Sequence, residues 1–215
     1  MLFKNLFSKW KLASPVSAPI EKALLVIDST PDLPQEFGYK CQWFAVNTTD
    51  TERVAAFLKG KGIIAANWKT GMAAAYNGSC FITPQVNGWT FIIQPFMREI
   101  EDSSSEGARN KAQALSALFG EAYYFGNYRV SSYYAWCKAI NGHVVRAFGY
   151  GDGEVLIDEG DLTAEEHQIA FFTTGDEEGW LSEEDVLTLA ELWTTSTVSI
   201  DGDCKPGTGF LVAFD

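Results

Sequence analysis

The chain has 215 residues, an ordinary apolar fraction of 47% and a formal net charge of -12, the composition of a soluble globular protein rather than a fibrous or disordered one. A chain this long buries enough surface to fold without disulfides or structural metals, and its acidity disfavours nucleic acid as a partner, because phosphate backbones are repelled. The charge is unevenly spread: up to Gly151 there are 15 Lys and Arg against 11 acids, and from Asp152 onward 17 acids against the single Lys205.

In chain order, Met1 to Leu12 (MLFKNLFSKWKL) places Leu2, Phe3, Leu6, Phe7 and Trp10 on one helical face. Residues 1–19 therefore read as an amphipathic helix followed by the Pro/Ser linker ASPVSAP, and residues 20–215 as one domain. The helix suits packing on the domain, docking on a partner or lying on an anionic membrane surface. There is no signal-like apolar core and no run near the ~20 residues of a membrane span, which predicts a cytoplasmic location.

Ala23 to Ile27 and Tyr39 to Val46 read as strands, with an irregular Pro-containing stretch between them. Asp50 is placed to cap a helix from Thr51 to Leu58, and Ile63 to Trp68 comes next as a strand. Asn77-Gly78 and Asn87-Gly88 both favour tight type I′ turns. A three-strand meander over Met72 to Tyr76, Ser79 to Val86 and Trp89 to Gln94 is expected, with Pro84 weakening its middle member. Ala108, Ala112, Leu115, Leu118 and Phe119 recur at helical spacing up to Gly120.

The aromatic stretch from Glu121 to Asp161 is the expected centre of the fold. Ala122 to Phe125, Val130 to Ile140 and His143 to Tyr150 read as strands, the last two joined at Asn141-Gly142. Val130 to Ile140 carries apolar residues on both faces, as a strand covered on both sides requires. Glu154 to Ile157 is a further strand, and Thr163 to Glu166 has the form of a capping box opening a helix to Phe172. Ser182 caps a second helix with Val186, Leu189, Ala190 and Trp193 inward, and Phe210 to Phe214 is a closing strand. The predicted class is α+β, a mixed or mostly antiparallel sheet built from hairpins with helices packed on it.

Catalytic signatures are lacking. Gly149, Gly151 and Gly153 do not have dinucleotide-loop spacing and lead into a strand, so the helix N-terminus that would hold phosphate is missing. His143 and His167 stand in different elements with no ligand at metal-binding spacing, and no metal or cofactor is expected. Cys41, Cys80, Cys137 and Cys204 form no CxxC pair and read as unpaired, mostly buried thiols. Arg129 and Arg146, cations in aromatic strands, suit internal ion pairs or stacking on rings.

Asn67-Trp68 with Gly71, the block FITPQVNGW from Phe81 to Trp89, and the blocks YFGNYRV and YYAWCKAINGHVVRAFGYGDGE resemble bacterial immunity-type proteins encoded beside polymorphic toxins. The resemblance spans roughly Trp68 to Glu166. It implies a compact α+β domain that binds a cognate toxin domain without catalysis, and it carries over no catalytic residues. Toxin domains acting on nucleic acids are commonly basic, and an acidic surface would steer such a partner. The acids placed in loops or helix starts for that role are Asp158, Glu159 and Asp161; Asp176, Glu177 and Glu178; and Glu183 and Glu184. Trp180 is the aromatic anchor among them. The alternative is a hydrolase using paired carboxylates in an aromatic-lined cleft, and a membrane-associated adaptor using Met1 to Leu12 is the third reading.

Overall fold

A computed structural model describes residues 26–60, 62–174, 180–200 and 204–213. The helix expected over Met1 to Leu12, most of the strand expected over Ala23 to Ile27, and Asp176, Glu177 and Glu178 lie outside the described residues. The first half contains β1 (Gln42–Val46), α1 (Thr51–Phe57), β2 (Gly62–Asn67), α2 (Trp68–Ala75), β3 (Cys80–Ile82), β4 (Thr90–Ile93) and α3 (Ala108–Phe119). The second half contains β5 (Glu121–Tyr128), β6 (Tyr133–Ile140), β7 (His143–Gly151), β8 (Glu154–Glu159), α4 (Ala170–Thr174), α5 (Glu183–Trp193) and β9 (Thr208–Ala213). The fold is α+β. The nine described strands join one sheet in the order β2-β9-β3-β4-β1-β5-β6-β7-β8, and each of their pairings is antiparallel.

Helices cover both faces, and strand alternation sorts the core into two layers. On one face Trp43, Phe125, Tyr134, Trp136 and Phe148 pack with Trp68 and Met72 of α2 and with Val186, Leu189 and Trp193 of α5. On the other, Phe44, Tyr124, Ala135, Cys137 and Ala147 pack with Val54 of α1 and with Ala108, Ala112 and Leu115 of α3. The small residues at Ala108, Ala112, Ala135 and Ala139 bring α3 close to the sheet. β5, β6, β7 and β8 form a meander from the aromatic stretch, with Asn141 and Gly142 both at positive φ in the β6–β7 turn; it fills one end of the sheet, and the middle strand is β1.

Three expectations are corrected. Met72 to Ala75 is helical, because its Met-Ala-Ala-Ala run favours helix and side chains cap the start of α2: Asn67 Oδ1 accepts from Thr70 N at 3.0 Å, and the Asp32 carboxylate accepts from Trp68 N and Lys69 N at 2.6 and 3.0 Å. Asn77-Gly78 therefore ends a helix, and only β3 and β4 remain of the meander. Arg129–Ser131 is a 3-10 turn, with Ser132 left-handed after it, so β6 starts at Tyr133 and Val130 points into solvent. Thr163 and Glu166 do form the reciprocal capping bonds, Glu166 N to Thr163 Oγ1 and Thr163 N to Glu166 Oε2. The chain then makes a 3-10 turn (Glu166–Gln168) and the five-residue α4 in place of one continuous helix, because the Glu166 carboxylate is drawn into the core.

Candidate protein interface at the amino end of α5

At one end of the sheet three segments meet on two buried polar side chains. Asn127, on β5, accepts from Lys40 N at 2.8 Å and donates to Gly38 O at 2.6 Å, which fixes the turn before β1 against the sheet. Glu183, the first residue of α5, accepts from the same Lys40 N at 3.0 Å, and its other oxygen lies 3.7 Å from Arg129 Nη1. Ser182 and Asp185 close a capping box at this helix start, and a carboxylate there is further stabilised by the helix dipole. Glu183 is only 6% exposed, so its charge serves as an internal staple between α5, β5 and the turn before β1.

The segments joined by this staple carry exposed apolar side chains: Trp180 is 85% exposed, Val130 74% and Tyr39 50%, while Tyr128, next to Asn127 on β5, leaves the opposite face of the sheet. Glu184, on α5, is exposed as well. The local field is negative: the Tyr134 phenol is pushed up first by burial and then by Glu183, Glu184 and Asp185. Next to Tyr39, a depression of about 410 Å³ is lined by Glu36, Phe37, Gly38, Tyr39, Tyr76 and Val198. Exposed aromatic and aliphatic groups on the segments joined here, with Glu184 exposed among them, have the composition of a protein-binding surface.

Of the residues singled out in the sequence, Trp180, Glu183 and Glu184 come together here. Asp158 and Glu159 do not. They are consecutive on β8, so their side chains leave opposite faces of the sheet. Asp158 pairs with Arg146 on the α5 side. Glu159 receives both Nε and Nη2 of Arg109 from α3, at 2.8 and 2.9 Å, a two-pronged pair of the strong kind. Both register with the middle of β7, opposite Phe148 and Ala147. Asp161 is exposed beyond the end of β8. Tyr39, Tyr128 and Val130 were not singled out in the sequence, because Tyr39 and Val130 read as parts of continuous strands. The only signal for them was chain position beside turns.

Among the described residues no group of three or more His, Cys, Asp and Glu side chains is placed to hold a metal ion. Cys137 stands opposite Ala147 and His143 opposite Ile140, so the hairpin keeps them apart. Burial pushes the Cys137 thiol up to about 12, the opposite of an activated nucleophile. A cavity on the α1/α3 face is lined by one carboxylate, Glu106, and that group is paired with Lys111. No described helix is long and apolar enough to cross a membrane. No protein-family model, curated protein or solved structure matches the chain.

Proposed function

We propose that this chain is a non-enzymatic binding protein of the immunity type, which neutralises a basic toxin domain by occluding it stoichiometrically in the cytoplasm. The observation that carries the reading is Trp180: a tryptophan 85% exposed, three residues before a helix start bearing Glu183, Glu184 and Asp185. An indole left in water has no stabilising role in its own fold, whereas Trp is enriched among residues that dominate interface affinity. Of these acids Glu184 is the exposed one, and with the excess of acids in the second half of the chain it supplies long-range attraction for a basic partner, setting its approach rate more than its final affinity.

Asp158 and Glu159 take a different part in this reading. Each is already paired with an arginine, so they hold the β8 edge and leave recognition to the α5 end. The test is a calorimetric titration of the purified chain against the basic domain encoded by the neighbouring gene, at low and high salt. A one-to-one complex by calorimetry, whose association measured by stopped-flow slows as salt rises, supports the proposal. Absence of any complex at micromolar concentrations of both proteins overturns it.

A further inference from the structure

On the sheet face that carries α1 and α3, a cavity reaches down to the buried side chains of three neighbouring strands. Phe44 of β1, Ile92 of β4 and Cys80 of β3 line this cavity of about 420 Å³, with Leu58 beyond the end of α1 as a side wall. That volume falls within the range of small-molecule sites, and an apolar floor with a few polar groups at the rim is their usual construction. Phe96, 70% exposed, stands at the edge and adds apolar surface there.

The rim carries two cations, Arg98 and Lys111, and one carboxylate, Glu106, in a protein whose net charge is -12. Arg98 is paired with Asp102 at 3.0 Å, which leaves Lys111 as the cation for an incoming anion. Lys111 Nζ is 2.9 Å from Glu106 and its side chain is 20% exposed, while that of Glu106 is 64% exposed. Lys111 is therefore the less exposed member of the pair, and both side chains line the cavity. The ammonium's field reaches the floor: burial pushes the Cys80 thiol up to about 12, and Lys111 is the charge that opposes this. Lys111 sits near the start of α3, a helix with no side-chain cap and no acid in its first turn, where a cation is unfavourable for the helix and an anion favourable.

The geometry points to a binding site for a single-chain amphipathic anion, a medium-chain fatty acid. The alkyl tail packs on Phe96 and Met97 above the buried Phe44, Leu58 and Ile92, and the carboxylate exchanges with Glu106 as the partner of Lys111. This site is on the opposite sheet face from α5 and does not depend on the proposed partner interface.

Calorimetric titration with dodecanoate, kept below micelle-forming concentrations, tests it, with dodecanol and dodecyltrimethylammonium as controls for charge. One dodecanoate per chain is expected, with both controls at least about tenfold weaker, the factor one charge-assisted hydrogen bond supplies. Two rim variants that leave the core untouched move in opposite directions. Lys111→Gln weakens dodecanoate by about tenfold, and Glu106→Gln tightens it by releasing the ammonium. Trp180→Ala leaves dodecanoate binding unchanged, which separates this site from the partner interface. No saturable binding to the wild type, equal binding of dodecyltrimethylammonium, or equal affinity in both rim variants overturns the proposal.

Discussion

Arg146 Nε and Glu166 Oε1 meet at 2.8 Å with neither side chain exposed to solvent. The same Glu166 oxygen accepts from the Trp136 indole at 2.7 Å, and its other oxygen accepts from Thr163 N at 2.8 Å. Arg146 in turn donates to Asp158 and to the carbonyls of Glu159 and Gly160, with its guanidinium over the Phe148 and Phe172 rings. One buried pair thus ties β7, β6, the end of β8 and the turn before α4. Removing one partner of such a pair strands a charge in the core, at a cost of about 3–5 kcal/mol, whereas replacing both with apolar groups is often neutral. Arg146→Met leaves Glu166 buried and charged without a cation among the described residues, and is expected to destabilise by that amount in urea unfolding, with the Arg146→Met/Glu166→Leu double variant recovering most of it. A single-variant loss below about 1 kcal/mol, the level of a surface pair, contradicts this account.

Gly71 shows steric crowding outweighing helix propensity. It lies inside α2, where Gly→Ala ordinarily stabilises by about 0.5–1 kcal/mol. A Cβ at Gly71 would overlap the ring of Phe81, which is fully buried and packs edge-on against Trp68. Overpacking of this kind costs about 1–3 kcal/mol, so Gly71→Ala is expected to lower the unfolding midpoint. A raised midpoint would show that Phe81 has room to shift.

Glu165 gives a pH-dependent contribution of known sign. Its carboxyl is held below its ordinary value of 4.5, chiefly by the backbone N–H of Glu165 itself and further by the Trp193 indole at 3.3 Å, against a smaller opposing effect of burial. A depressed folded value means that the unfolded chain binds the proton first as pH falls. The stabilisation is therefore present above 4.5 and disappears as pH drops through the folded value. Wild type should exceed Glu165→Gln in stability at neutral pH, with the gap closing on acidification. A gap that widens toward low pH would refute the assignment.

The thiols govern the alkaline behaviour. Burial pushes Cys41, Cys80 and Cys137 from 9.0 up to about 12, so in the fold they remain protonated while unfolded thiols ionise. Stability from this source is complete below 9 and declines as pH rises toward 12. Near neutral pH a thiol reagent should modify Cys204, the one cysteine that is not fully buried, well before the other three. Simultaneous modification of all four in the native protein would contradict the burial.

Trp180→Ala separates recognition from stability. At 85% exposure its loss should leave the unfolding midpoint unchanged, while weakening the proposed complex by about 2 kcal/mol or more, the scale of an interface hot spot. Asp158→Asn should do the reverse, lowering stability through Arg146 with little effect on binding. A destabilised Trp180→Ala protein would mean that the indole packs within its own chain.

Local signals were legible in the sequence. Asn87-Gly88 and Asn141-Gly142 mark turns with both residues at positive φ, Asp50 and Ser182 cap the helices predicted from them, and the two-sided apolar pattern of β6 places it inside the sheet. These depend on neighbours a few residues away, so the chain itself specifies them. The partners of its acids are a different matter. Asp158, Glu159 and Glu166 have the composition of a solvated acidic face, yet arginines on β7 and α3 draw all three into ion pairs. Glu183 becomes a staple because the turn before β1 delivers Lys40 N to it across the fold. Whether a carboxylate faces water or a guanidinium depends on which strands and helices pack together. Sequence by itself determined the α+β class, the turns and the excess of negative charge; only tertiary packing decided which of those charges remain at the surface, beside Trp180, to meet a partner.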